Sequence, residues 1–519
     1  MNRHPLMPRR ADLARANARL LDPATARAVA GVEPSPTAYV TNRLVVSSQR
    51  DLDQVKATLD TAAGSLGWQL DVDESFPAAR AQGRPGEAGI GLSRLVISVL
   101  PSQAAQAPDG WTLLQQARAE HSLEALDGVA LDHVMTVNSP FEDSNPFEDS
   151  NPFEDSNPFE DSNGTQSRAI ATYGRPGSGG RQPITWVGPR PHRQQAVKGR
   201  RPVVGVLDTG CGKHPWLDSV VRTDVGLDGH AIGYTDPKTD PELHGDLAGP
   251  LDGSIDPLSG HGTFITGLVH QACPDADIIV WRIVSSTGPI VESDWVDALT
   301  RITELVRRNY EDNRGGIALD VLNLSMGYYH ETPTDKQFDK TLYHLLKLLG
   351  KCGTTVVCSA GNDATARPQY PAAFTPWANG KGPVKPRKDC VPVVSVGALN
   401  PNLTTVALFS NSGPWVRAYE PGAAVISTMP ALQGGLQPVA RLRAFGRVRE
   451  AIDPDNFTRG DTEGGFAAWS GTSFAAPVVA GKIAQRLVGR LPASGAGDTK
   501  KAAVARSWKA VAAVTDITR

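Results

Sequence analysis

The 519-residue sequence has no apolar stretch long enough to span a bilayer, so no membrane-crossing helix is expected. It also lacks an excess of charge of either sign. Its 52 Lys and Arg against 55 Asp and Glu leave a formal net charge of −3, which gives no electrostatic case for nucleic acid or a membrane surface as partner. The amino terminus carries arginines but no uninterrupted apolar run, so neither a Sec leader nor, after Arg9-Arg10, a twin-arginine leader is written there. Cysteine is scarce and odd in number: Cys211, Cys273, Cys352, Cys358 and Cys390 cannot all pair within one chain. That points to a reducing compartment, and a cytoplasmic location is the expectation.

What the chain does have is a set of small-residue turns, each delivering one reactive side chain. Gly471-Thr472-Ser473-Phe474-Ala475-Ala476-Pro477 brings Ser473 to the start of a helix expected over Ser473 to Ile483. Gly471 allows the sharp turn, the alanines allow close packing, and Pro477 is tolerated in a first turn. A serine there exposes its hydroxyl and aims its backbone N–H at a developing oxyanion. On this segment alone a helix N-cap is the commoner explanation. Val203 to Gly210 (VVGVLDTG) is a buried-strand pattern that leaves Asp208 at a strand's carboxyl end, where open parallel sheets assemble their sites. Gly260 to Val269 (GHGTFITGLV) places His261 between glycines at the head of an apolar helix. Val356 to Asp363 (VVCSAGND) ends a strand on Asn362, whose amide is a candidate oxyanion donor. A serine nucleophile needs a base, and the base an orienting carboxylate.

The order Asp208, His261, Ser473 is that of subtilisin rather than of chymotrypsin or the α/β-hydrolases. With Leu322-Asn323-Leu324-Ser325-Met326-Gly327, Gln369-Tyr370-Pro371-Ala372 and Phe409-Ser410-Asn411-Ser412-Gly413, the set resembles the subtilisin-like (subtilase) serine peptidases over roughly residues 201 to 490. The resemblance implies an α/β fold with a parallel sheet. It implies peptide-bond hydrolysis through an acyl-enzyme, with Ser473 as nucleophile, His261 as base, Asp208 as its orienter and Asn362 in the oxyanion hole. It also implies that an extended polypeptide substrate contacts Ser325, Met326, Gly327, Ala360 and Gly361. No cofactor is required for that chemistry. Structural calcium is common in the family, and residues 211 to 259 are rich in Asp, but no stretch has EF-hand spacing and no ligands are assigned. Val478 stands where many members have histidine, and Met326-Gly327-Tyr328-Tyr329 replaces a small, glycine-rich run, whose tyrosines leave the depth of the specificity pocket open. Cys211, three residues after Asp208, reads as packing filler before it reads as a redox switch, since nothing near it in sequence lowers its pKa.

Upstream, residues 1–39 read as a poorly ordered tail with one short helix. Residues 40–138 read as a small α+β domain. Arg43 to Val46, Gln69 to Val72, Leu95 to Leu100 and Val129 to Val137 are strand candidates. Leu52, Val55, Leu59, Ala62 and Leu66 follow helical spacing, and Trp111 to His121 is a second helix. The order β-α-β-β-α-β is ferredoxin-like, the arrangement of subtilase inhibitory prodomains. A prodomain and an unrelated partner-binding domain are the two readings.

Residues 139–200 read as a disordered linker. Its first part repeats Asn-Pro-Phe-Glu-Asp-Ser, with Phe141, Phe147, Phe153 and Phe159 six apart, eight acidic residues and no basic one. A tether is the simpler reading and a docking motif for a partner through 139–163 the other. Arg168 to Arg201 holds eight Lys and Arg and no acid, so weak attraction between the two blocks is expected. The peptidase domain is expected over 201–490, with loop insertions at 211–259 and 430–465 around the cleft, and a helical tail over 491–519. Two rivals to a general endopeptidase stand: a processing protease dedicated to one partner, and a non-catalytic binding protein of the same fold.

Overall fold

The computed structural model describes residues 10–76, 89–101, 103, 105–137, 169–248, 253–286, 289–311, 315–332, 340–460, 462–493 and 497–518. The Asn-Pro-Phe-Glu-Asp-Ser repeats lie outside the described residues.

The N-terminal unit is built on four antiparallel strands in the order Val129–Val137, Thr37–Ser47, Leu92–Val99, Trp68–Val72, to which shorter strands are added at the sides. With strands numbered along the unit this is 4-1-3-2, the ferredoxin-like order expected from sequence. Helices Leu52–Ser65 and Gly110–Glu120 start where aspartates can cap them: Asp51 accepts from Gln54 N at 3.0 Å and Asp109 from Thr112 N at 2.8 Å. Leu44, Leu59, Leu95, Leu113, Leu114 and Leu131 fill the space between sheet and helices at 0% exposure, the principal stabilisation of so small a unit.

The unit begins earlier than the sequence suggested. Ala18–Leu21, read there as tail, pairs antiparallel with the first strand, Leu21 opposite Thr37. Four residues give too short a pattern to be seen locally, and their pairing is supplied by the partner strand.

The larger domain carries a seven-stranded, wholly parallel sheet in the order Ala418–Pro421, Val394–Leu399, Thr355–Ser359, Val321–Leu324, Val203–Asp208, Asp277–Arg282, Val221–Arg222. Its inner strands are apolar on both sides because both faces are covered. Helices Glu292–Glu311 and Lys340–Lys351 pack on one face, and helices His261–Ala272, Thr472–Leu487 and Lys500–Ala512 on the other. Strand Val203–Asp208 has Asp277–Arg282 and, beyond it, Val221–Arg222 on one side, and on the other Val321–Leu324 followed outward by the later strands. The strand order therefore reverses at Asp208, the place where open α/β sheets bind ligands. Among the described residues no helix is long and apolar enough to cross a membrane.

Residues 169–200 depart from the linker expectation. Gln182–Ile184 pairs antiparallel with Phe466–Trp469, and Ile170 is buried in the core. Several of its basic residues have fixed partners within the domain. Arg181 donates to the carbonyls of Ile255, Asp256 and Ser259, Arg193 pairs with Asp277, Arg200 with Asp320 at 2.6 Å and Arg201 with Asp275 at 2.9 Å. Composition read this stretch as a tether because its anchors lie far along the chain.

The two units meet along strand Val129–Val137. It pairs antiparallel with Ile290–Val291 and with Met326–Gly327 of the larger domain. The buried Asp132 carboxylate accepts from Ser293 N at 3.0 Å and Ser293 Oγ at 2.9 Å, capping helix Glu292–Glu311 from the other unit. The neighbouring His133, at 0% exposure, lies between Glu292 Oε2 on Nδ1 and Glu331 Oε2 on Nε2, the latter at 2.7 Å. Burial opposes charge on this imidazole, but the two carboxylates outweigh it and hold its pKa well above the ordinary histidine value.

Candidate active site

Three adjacent strands deliver three of the sequence-predicted groups to one sheet edge. Asp208 ends its strand, Ser325 follows Leu324, and Ala360-Gly361-Asn362 follows Ser359. The other two come from helix starts on one face: His261 heads its helix after Gly260, which has φ +85°, and Ser473 is the second residue of its helix. The helix His261–Ala272 carries an unbroken buried face because Gly262 and Gly267 let it approach its neighbours. A Cβ at Gly262 would sit 2.1 Å from Gly210 O.

Asp208 Oδ1 contacts His261 Nδ1 at 2.7 Å, both side chains wholly buried. Asp208 Oδ1 also accepts Thr209 N at 2.8 Å, which fixes the carboxylate plane. The imidazole ring is bracketed by Trp469, edge-on at 5.8 Å between centroids, and Phe474 at 5.3 Å. With Nδ1 committed to the aspartate, Nε2 is the basic nitrogen, and it has no hydrogen-bond partner among the described residues. The Ser473 hydroxyl donates to Ser325 O at 3.3 Å, while Ser325 Oγ donates to Ser473 O at 3.1 Å. Serine and histidine thus share one site without a hydrogen bond between them. Such bonds are commonly long in unliganded sites and tighten in the substrate complex.

Asn362 has its amide oriented by Thr472. Asn362 Oδ1 accepts from Thr472 N and Thr472 Oγ1, each at 2.9 Å, so the NH2 end is the one presented as donor. Thr472 Oγ1 in turn accepts Gly361 N at 3.1 Å. Gly361 is held at φ +102°, and a Cβ there would meet Asn411 Nδ2 at 2.3 Å, so the turn admits only glycine. Asn411 Nδ2 donates to Ala360 O at 2.9 Å, and its Oδ1 accepts from Asp363 N and Thr365 N.

The predicted substrate contacts divide. Met326 and Gly327, both buried, form a backbone ladder with Val137 and Thr136 of the N-terminal unit. Ala360 O and Gly361 N already have the partners just named and brace the Asn362 turn, and Ser325 braces the Ser473 turn. Tyr328 and Tyr329 are buried rather than lining an open groove; Tyr329 OH bonds Asp363 and accepts from Asn411 Nδ2 at 2.8 Å.

Sequence reasoning missed Glu242. This residue of the 211–259 insertion is 3% exposed and sits behind the Asp208–His261 pair. Its Oε1 accepts Gly262 N at 3.0 Å and the Thr209 hydroxyl, and its Oε2 accepts the Thr263 hydroxyl. Burial raises its carboxyl to about 7, against the opposing effect of the Thr209 and Thr263 hydrogen bonds. No periodicity marks a single glutamate in a polar loop, so no local signal could have found it.

Three other acids of that loop hold its backbone. Asp256 accepts Leu247 N and Ala248 N, Asp246 accepts Gly253 N, and Asp240 accepts Glu242 N. Those contacts staple the loop to itself. The cluster of three metal-competent side chains among the described residues is His133, His330 and Glu331, whose imidazoles suit softer ions than calcium. Burial pushes the Cys211 thiol up to about 12, so it has the character of packing filler, not of a reactive thiolate. None of the five cysteines is in a disulfide.

The subtilase family model matches residues 199–511, which takes in most of helix Lys500–Ala512 beyond the 490 boundary expected from motifs. The chain is 22% identical over 251 residues to the major intracellular serine protease of Bacillus subtilis (strain 168), covering 46% of this chain and 62% of that protein. It is 24% identical over 303 residues to an intracellular serine protease of Paenibacillus polymyxa, covering 56% and 67%. Among solved structures, fervidolysin from Fervidobacterium pennivorans, a keratinolytic enzyme related to subtilisin, aligns with a TM-score of 0.44 at 18% identity, over 89% of this chain and 56% of that one. The chain spans less than two thirds of the Bacillus subtilis protein. Because the family match takes in more than half of the residues and includes the segments bearing Asp208, His261, Asn362 and Ser473, the chain belongs to the subtilase family.

Proposed function

We propose that this protein is a serine endopeptidase acting on extended polypeptide segments through an acyl-enzyme. The observation that carries the reading is the buried 2.7 Å contact of Asp208 Oδ1 with His261 Nδ1, which leaves Nε2 without a partner on a ring packed against Phe474, the neighbour of Ser473. His261 takes the Ser473 proton as the hydroxyl attacks and returns it to the leaving amine. Asp208 fixes the tautomer and stabilises the imidazolium. The Asn362 NH2 and Ser473 N–H hold the oxyanion, a preorganised arrangement because Thr472 has already set the amide. Met326–Gly327 offers backbone groups to a substrate strand, a mode that reads shape and extension before sequence. No cofactor enters these steps.

The N-terminal unit takes the role of an inhibitory prodomain in this reading, since its last strand occupies that same edge. The partner-binding alternative keeps the same docking but no cleavage. A cytoplasmic location is supported by five unpaired cysteines and by two relatives whose names call them intracellular. The repeats at 139–163 serve as a tether, with partner docking as the second use.

Hydrolysis of casein and of a peptide library by the purified chain tests the proposal. Cleavage that disappears in His261→Ala supports it, and broad cleavage separates a general endopeptidase from a dedicated one. A well-folded chain that cleaves nothing leaves the binding-protein rival in place.

A further inference from the structure

Glu242 reaches the site from a loop, yet it touches the neighbours of both histidine and aspartate. One carboxylate oxygen takes the backbone N–H of Gly262, next to His261, and the hydroxyl of Thr209, next to Asp208; the other takes the hydroxyl of Thr263. Thr209 Oγ1 also accepts Gly262 N at 2.7 Å, so the two segments are joined twice. The groups around the carboxylate are few. Asp208 lies beyond Thr209, Asp240 precedes it in its own loop, and Cys211 and Arg282 flank it across Gly210, where an added Cβ would stand 3.4 Å from Glu242 Cγ and 3.6 Å from Arg282 Cδ. The Arg282 guanidinium itself is spent on the carbonyls of Tyr234 and Asp236.

We propose that Glu242 is a positioning residue of the triad, clamping the Asp208 turn to the first turn of the His261 helix and controlling, through Thr209, the hydrogen bonding that Asp208 receives. This rests on the peptidase reading and adds to it a residue that meets neither substrate nor reacting atoms. The control follows from proton counting. Thr209 has one hydroxyl proton and two acceptors in reach, Glu242 Oε1 and, at 3.3 Å, Asp208 Oδ1. With Glu242 ionised the proton goes to Glu242. With Glu242 protonated, its own O–H can donate to Thr209, whose proton then turns to Asp208. An ionised Glu242 also places a second negative charge behind the aspartate, which favours the imidazolium form of His261.

The test compares full-length wild type, Glu242→Gln and Thr263→Val by steady-state kinetics across the neutral range, thermal melting and fluorophosphonate labelling. Glu242→Gln keeps the shape but not the charge. Its kcat is expected to fall by up to about 100-fold with KM nearly unchanged, the scale of a small misplacement of catalytic groups. The acid limb of its kcat/KM profile is expected to move to lower pH, a change that a purely structural glutamate would not produce. Thr263→Val deletes one donor and should lower kcat less, so it keeps the test decisive if Glu242→Gln melts before assay. Wild-type kcat and an unmoved acid limb in whichever variant folds would overturn the proposal. A wild-type chain that neither labels nor cleaves fails at the peptidase reading instead, and the positioning role falls with it.

Discussion

Val137, the last residue of the N-terminal unit's final strand, is paired antiparallel with Met326, one residue beyond the Ser325 that bonds the Ser473 turn. A substrate adding a strand to this edge would make the same main-chain contacts. The chain that follows is punctuated by a proline in every repeat and favours proteolytic nicking on composition. Self-cleavage is therefore expected after Val137 and before Ile170, where the chain enters the core. Intact-mass spectrometry should show two fragments for wild type and one full-length chain for Ser473→Ala. A fully active wild type that stays uncut would remove the prodomain role and leave a partner-binding module.

The same strand is pinned by His133 between Glu292 and Glu331. His133→Ala takes the imidazole from the buried Glu292 and leaves Glu331 with His330 alone, at 3.5 Å, and should cost about 3 kcal/mol. The pH dependence has a definite sign. The native pKa of His133 is raised, so its contribution is complete below the unfolded value of about 6.5 and is lost as pH rises through the native one. Glu242, raised to about 7, works in the same direction but is common to both chains, so the wild-type minus His133→Gln difference reports the histidine together with the carboxylates it pairs. Thermal melts from mildly acidic to alkaline pH should show that difference shrinking as pH rises; a constant difference contradicts the ion-paired histidine.

Asn362 is expected to act on the transition state alone. Asn362→Ala should lower kcat by about 10²–10³-fold and leave KM nearly unchanged. Thr472→Val, which removes the hydroxyl hydrogen bond to the amide oxygen, should give a smaller loss of the same kind. Steady-state kinetics on one peptide substrate checks both, and a change confined to KM would refute the oxyanion role.

Ser473 and His261 should behave as one unit. Each alanine variant alone is expected to fall to the residual rate left by oxyanion stabilisation and binding, and the double variant should be scarcely worse. Additive losses would mean that the two side chains act independently.

The site was legible wherever chemistry is written in a local turn. Asp208, His261, Asn362 and Ser473 each sit beside glycines or small residues that the backbone requires, and each appeared where the turns placed it. Even the ferredoxin-like unit could be read, because its strands and helices carry clean periodicities. What escaped depends on distant partners. Ala18–Leu21 is a strand because Thr37–Ser47 lies beside it, and Arg181, in a glycine- and proline-rich run, is fixed by carbonyls about 75 positions away. Glu242 was hidden for the same reason, its three donors coming from segments that only the folded chain brings to it. The 430–465 insertion likewise gave no sign of its hairpin, Arg441–Ala444 against Arg447–Glu450.

The most direct measurement is covalent labelling by a fluorophosphonate probe followed by peptide mapping. An activated serine attacks such a probe and an N-capping serine does not. Labelling of the wild-type chain at Ser473, lost in Ser473→Ala and strongly slowed in His261→Ala, is the predicted result. A folded wild-type chain that stays unlabelled, or one labelled at another residue, would contradict the triad.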